Sequence, residues 1–189
     1  MNKKICAWAT TPEYIKYHDS EWGKPLHDDR ELFEMLILEG MQAGLSWITI
    51  LNKREHMRKV FDNFDAVKIS KYTPAKIEKL LLDPGIIRNR LKLNSMITNA
   101  KAYLKIQKEY GTFDKFIWQF TGGKQIVNHF TDMREIPAKT AVSDTMSKTL
   151  LANGFKFVGS TICYAFMQAT GMVNDHMTWC PQHKKSKKR

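Results

Sequence analysis

From Arg90 to Gly111 the apolar residues Leu93, Ile97, Ala100 and Leu104 recur at i, i+4, i+7 and i+11. An α-helix turns about 100° per residue, so these four lie along one side of it, whereas a strand would divide them between two faces. No stretch sustains the alternation of a half-buried strand, and the chain reads as mainly α. Asp28-Asp29 can cap a helix that stops at Gly40 or Gly44, and a second begins near Ser46 with Trp47, Ile48, Ile50 and Leu51. Thr73-Pro74 opens a third with Ile77, Leu80 and Leu81 inward, proline being tolerated in a first turn, and Asp83-Pro84-Gly85 breaks it. Phe113 to Phe120 reads as a short aromatic helix, and Gly122-Gly123 with the polar residues to Lys139 as a loop. Ser143-Asp144 is expected to cap a helix ending at Asn153-Gly154, and another spans about Gly159 to Gly171.

With 189 residues, 43% hydrophobic and 26% charged, the chain can bury a real core and is not of disordered composition. It is expected to form one domain over 1–183, with two helical lobes sharing a cleft and a hairpin over about 75–105. No run approaches the roughly 20 apolar residues of a membrane span, and the apolar stretch after Lys3-Lys4 is too short for a signal-peptide core. Three cysteines without such a signal argue against a disulfide framework and for a reduced, cytoplasmic setting. The net charge is +11; the tail Lys184-Lys185-Ser186-Lys187-Lys188-Arg189 holds five of those charges and is expected to be disordered. The remainder is still basic, which suits either a polyanion such as nucleic acid or an ordinary basic enzyme.

Three constellations carry chemistry. In Asp83-Pro84-Gly85-Ile86-Ile87-Arg88-Asn89-Arg90, a tight turn offers backbone N–H groups at a helix start, with Arg88, Arg90 and Lys92 behind it. This resembles the helix-hairpin-helix element that grips a DNA backbone without reading sequence, although a Pro-Gly turn alone is more often just a turn. Cys6, His18, His176 and Cys180 form a C-x11-H pair and an H-x3-C pair at opposite ends of the sequence. They are either unrelated residues or a closed Cys2His2 zinc site that staples the termini together. Cys163, on an apolar helix, reads as core, and His27, His56, His129 and His183 lack comparable pairing.

The third is Glu39. It is i+7 from Leu32, i+4 from Met35 and i+3 from Leu36, which places a carboxylate inside an apolar stripe. A buried carboxylate must be paired, hydrogen-bonded or protonated. Either an arginine or backbone amides serve it, or it waits for a ligand with donors or positive charge among Trp8, Tyr14, Tyr17, Trp22 and Trp47.

Together these residues resemble the 3-methyladenine DNA glycosylase I family, a zinc-containing branch of the helix-hairpin-helix repair superfamily. The resemblance is carried by the segment Tyr14 to Gly23, the stretch Leu36 to Trp47, Asp83 to Arg88, Gly154 to Tyr164 and Gly171 to His176, in family order along nearly the whole chain. It implies a base-excision enzyme that flips out N3-methyladenine and hydrolyses its N-glycosidic bond, leaving an abasic site. It further implies one structural zinc on Cys6, His18, His176 and Cys180. Glu39 and Tyr17 would hydrogen-bond the base, Trp47 would stack on it, and Trp8, Tyr14 and Trp22 would line the pocket. Gly44-Leu45 would sit against the DNA with Leu45 filling the vacated gap, and Gly85, Ile86, Arg88 and Arg90 would hold the backbone. The implied partner is double-stranded alkylated DNA, met by a monomer in the cytoplasm at the nucleoid. The chain departs from the family's cysteine-rich end: after Cys180 come only Pro181, Gln182, His183 and basic residues.

Many members of that superfamily carry a catalytic aspartate about one helix beyond the hairpin, but Leu91 to Phe113 contains none. A cationic base is already a good leaving group, so recognition plus attack by water suffices on this reading. Two other readings stand beside it: a non-catalytic zinc-containing DNA-binding module, and a metal-dependent phosphohydrolase suggested by His18-Asp19 and Asp175-His176, against which the two cysteines argue.

Overall fold

The structure, a computed structural model, describes residues 5–183; the basic tail 184–189 lies outside the described residues. Its helices are α1 (Pro12–Ser20), α2 (Asp29–Gln42), α3 (Trp47–Val60), α4 (Ala66–Ile69), α5 (Pro74–Leu81), α6 (Arg90–Tyr110), α7 (Phe113–Trp118), α8 (Ala141–Ala152) and α9 (Ser160–Ala169). Short 3-10 turns cover Asp62–Phe64, Gln119–Thr121 and Met133–Glu135. No helix among the described residues is long and apolar enough to cross a membrane.

Capping residues set most boundaries. Thr11 accepts from Tyr14 N–H and Pro12 opens α1, Asp28 accepts from Glu31 N–H at the start of α2, and Thr73 with Pro74 starts α5. α8 is capped by Thr140 in a reciprocal box with Ser143, one turn earlier than the expected Ser143-Asp144 cap. α2 does not stop at Gly40. It continues to Gln42, and Gly40 serves a close approach instead: a side chain there would start 3.3 Å from Phe157 Cβ. The chain turns at Gly44, where φ is +79°.

α2 is the central helix, packed against α3, α6, α7 and α9, and every residue from Leu32 to Met41 is buried. α6 buries Leu93 and Ala100 as its spacing predicts, but Met96, Tyr103 and Ile106 complete the inner face, while Ile97 and Leu104 are only half-buried. In the stretch expected to be loop, β1 (Ile126–Val127) pairs in parallel with β2 (Val173–Asn174), Ile126 opposite Val173. That short ladder holds the segment after α7 against the C-terminal segment, next to His176.

Candidate active site and metal-binding cluster

Glu39 is 3% exposed and borders a cavity of about 420 Å³. All five aromatics named with it, Trp8, Tyr14, Tyr17, Trp22 and Trp47, line the same space. Gln42, Met133, Ile136, Ala165 and Gln168 complete the lining. Neither alternative cap for Glu39 is present: its Oε2 has no hydrogen-bond partner among the described residues, and nor does the indole Nε1 of Trp47. Burial pushes the Glu39 carboxyl up to about 8. A buried acceptor and a buried donor thus border one aromatic cavity, each with a bond still to make.

The aromatic walls are fixed by mutual contact and by one hydrogen bond. Trp8 meets Trp22 edge-on at 5.0 Å and Tyr14 at 5.6 Å, and Tyr17 tilts against Trp47 at 5.6 Å. Ser46 makes no side-chain cap at α3, and the Tyr14 hydroxyl substitutes by accepting from Ile48 N–H at 2.9 Å. α1 therefore fixes the first turn of α3, which carries Trp47. Another buried carboxylate, Asp175, supports the wall formed by α9, accepting from Gln168 Nε2, Tyr164 OH and Asn128 Nδ2 at 2.6–2.8 Å.

Cys6, His18, His176 and Cys180 are brought together and all buried, with one ligand atom from each lying within 4.8 Å of the others. Cys6 Sγ is 3.7 Å and Cys180 Sγ 3.8 Å from His176 Nδ1, and Cys180 Sγ is 3.5 Å from His18 Nε2. A tetrahedral metal with ordinary sulfur and nitrogen bond lengths sets such pairs roughly 3.5 Å apart. The far ring nitrogens are held as metal-bound histidines require: His18 Nδ1 by Asp19 at 2.8 Å, and His176 Nε2 by the Trp22 carbonyl at 3.0 Å. The group could hold a metal ion. It also adjoins the cavity, since Trp8 lies 5.3 Å from His18 and Trp22 lies 4.6 Å from His176. Asp19 and Asp175 brace their neighbours by hydrogen bonds, which accounts for the two His-Asp pairs without an open phosphohydrolase centre.

The turn between α5 and α6 is more occupied than its sequence suggests. Gly85 N–H already donates to Asp83 Oδ1 at 2.7 Å, and Ile86 N–H faces the Asp83 carbonyl at 3.5 Å with its side chain buried. The amides without a partner among the described residues are those of Ile87 and Arg88. Gly85 also gives His56 room: a Cβ there would lie 2.4 Å from the tip of its ring and would displace that exposed side chain. His56 in turn contacts Asp83 at 2.8 Å, and the Asp83 carboxyl is held below its usual range chiefly by that hydrogen bond. Arg88 is exposed, whereas Arg90 forms a two-pronged pair with Glu78. Gly44 and Leu45 are exposed beside the cavity's Gln42 and Trp47.

The family model of methyladenine glycosylases matches residues 7–183. DNA-3-methyladenine glycosylase 1 of Escherichia coli strain K12 is 50% identical over 176 residues, covering 93% of this chain and 94% of the relative. A crystal structure of 3-methyladenine DNA glycosylase I superposes with a TM-score of 0.92 at 47% identity, covering 94% of this chain and 98% of the other. The Staphylococcus aureus 3-methyladenine DNA glycosylase I, solved to define its recognition of 3-methyladenine, also gives 0.92, at 37% identity with 94% and 95% covered. The chain belongs to the methyladenine glycosylase family. It is a glycosylase of DNA base-excision repair, a hydrolase acting on N-glycosyl bonds.

Proposed function

We propose that the cavity beside Glu39 receives a 3-methyladenine nucleotide flipped from double-stranded DNA, and that the enzyme releases the base by hydrolysis. One observation carries this assignment to particular residues: a fully buried carboxylate oxygen left unbonded at an aromatic cavity. N3-methyladenine attached to its sugar is formally cationic. Glu39 accepts from its exocyclic amine and meets that charge, Tyr17 adds a hydrogen bond, and Trp47 stacks on the ring. Trp8, Tyr14 and Trp22 form the walls. Each desolvated tryptophan face favours a cationic over a neutral base by about 0.5–2 kcal/mol, against a flipping cost of about a few kcal/mol.

Water attacks the anomeric carbon as the C1′–N9 bond breaks. The bond's electron pair stays on the departing base and discharges it, and the water's proton leaves to solvent. Burial favours the protonated form of Glu39 at neutral pH. A cationic nucleotide lowers its pKa on entry, so binding below pH 8 releases a proton. Among the described residues α6 has no aspartate to act as a general base.

Outside the cavity, Arg88 with the free amides of Ile87 and Arg88 holds a phosphate. Gly85 and Ile86 shape that helix-hairpin-helix turn, and Arg90 joins once it leaves Glu78. Gly44 and Leu45 contact the duplex, with Leu45 filling the gap left by the base. Cys6, His18, His176 and Cys180 bind one structural zinc: two sulfurs and two imidazoles close the tetrahedron and leave no position for substrate. The chain acts as a cytoplasmic monomer at the nucleoid, as one domain over 1–183 with two lobes.

The test is release of free bases from methylated duplex, separated and followed in time. The parent should release 3-methyladenine and leave 7-methylguanine, and Glu39→Gln should slow single-turnover release about 100-fold. Duplex binding with no release of any base would instead assign a non-catalytic zinc-containing module. Metal analysis should find one zinc per chain.

A further inference from the structure

Lys92 lies in the first turn of α6, three residues past the N-cap Asn89, yet it is only 6% exposed. Its ammonium donates to the Met41 carbonyl at 2.9 Å and the Ala43 carbonyl at 2.6 Å. These carbonyls lie at the C-terminal end of α2, where Ala43 donates no capping backbone bond. Its last turn holds no basic residue, and Ala43 leaves the helix with φ −43° and ψ 114° in place of a glycine-type reversal. A cation at that end meets the negative pole of the helix and satisfies carbonyls that have no partner within it.

Asn99, two turns further along α6, makes a second clasp. It accepts from Lys156 N–H at 2.7 Å and donates to the Lys156 carbonyl at 3.0 Å. The next residue, Phe157, is held at φ +56°, a conformation unusual for a bulky side chain, and it is the residue that touches Gly40. One helix thus holds the end of α2 just past Glu39-Gly40 and the Lys156-Phe157 segment that packs against Gly40. Beyond Lys92's grip lies the Gly44-Leu45 turn, where Leu45 is 42% exposed and its N–H donates to the Gln42 carbonyl at 2.6 Å.

We infer that Lys92 is a positioning residue that locks the Ala43–Ser46 loop to the α5–α6 turn, so that phosphate grip and Leu45 insertion act as one rigid unit. This rests on the reading of those two segments as DNA contacts. Lys92 touches neither base nor phosphate; it fixes the distance between the two elements that do.

Lys92→Met keeps the aliphatic stem and removes the donors. It should lower single-turnover excision from duplex by about tenfold or more, while free 3-methyladenine binds within about twofold of parent by tryptophan fluorescence. Leu45→Ala should cost much less in the Lys92→Met background than in the parent, because a loop already loosened gains little from its leucine. Lys92→Arg should restore most of the activity. Independent, multiplying losses would overturn the inference, as would unchanged excision or a parallel loss of free-base binding that marks a general collapse of α2. Should Lys92→Met fail to fold, Lys92→Gln keeps one donor group and serves in the same cycle. If the parent releases no base from alkylated duplex, the reading of the site fails before any Lys92 variant is made, and the inference falls with it.

Discussion

Glu34 and Glu39 lie on the same helix, both buried, and have opposite surroundings. Glu34 is ringed by arginines: Arg54 Nε at 2.7 Å, Arg58 at 2.7 Å and Arg30 at 3.4 Å. Glu39 faces aromatics and has an oxygen with no partner. The first carboxylate has its counter-charge built into the chain and belongs to the architecture. The second has its counter-charge left out, and on the proposed reading that omission suits a cationic guest. Burial of a carboxylate is thus no sign of function until its partners are known.

The comparison can be broken most severely at Glu34. Glu34→Gln removes the negative charge that Arg54 and Arg58 share and turns an amide NH2 group toward one of them, and should cost about 3–5 kcal/mol by urea unfolding, with base affinity of the folded fraction unchanged. Glu39→Gln should do the reverse as pH rises. Because burial lifts Glu39 from 4.5 to about 8, the folded state keeps a proton that the unfolded chain has released between those values. Parent stability therefore falls as pH climbs from about 4.5 to about 8. The variant, lacking that titration, should gain on the parent across this window by roughly 2–4 kcal/mol after water entry into the open cavity is allowed for. Parallel unfolding curves at pH 5 and 8.5 would show that Glu39 is not the burdened group described here.

Smaller effects sharpen the picture. Trp47→Phe keeps a stacking face but removes the unpaired indole N–H, and should reduce excision about fivefold, near the ~1 kcal/mol of one hydrogen bond. The smallest change belongs to the surface pair of Glu78 and Arg90. Glu78→Gln should leave Tm unaltered and free Arg90 for the duplex, seen as tighter binding with a log-log salt slope steeper by about one.

What was legible in the sequence followed locality. Glu39 declared itself by i+3, i+4 and i+7 spacing within one helix, and α5, the turn and α6 are consecutive. The cysteine and histidine quartet was legible only as a candidate, from its ligand types and the family resemblance, with unrelated residues as the alternative; the structure brings the four together. Arg54 as the partner of Glu34 was not legible, since the two sit on different helices and nothing in either segment encodes the crossing. Met133 and Ile136 lay in a polar stretch without periodicity. Ala165 and Gln168 gave a faint signal, an i, i+3 pair on α9, but which face of α9 turns toward α2 is decided only by packing. The turn misled in a subtler way. Its glycine was expected to expose an amide, and Asp83, two residues earlier, takes that amide first.

The joining of Cys6 and His18 to His176 and Cys180 has a consequence for the order of events in synthesis. Trp8 packs on His18 and Trp22 on His176, so part of the cavity wall made early leans on a residue made late. A nascent chain that has already produced Glu39 and Trp47 still lacks the anchor for Trp22 until His176 and Cys180 emerge. Premature termination before His176 thus yields a chain without a finished cavity wall. The cavity of this glycosylase is thus completed only when the two ends of its described chain meet.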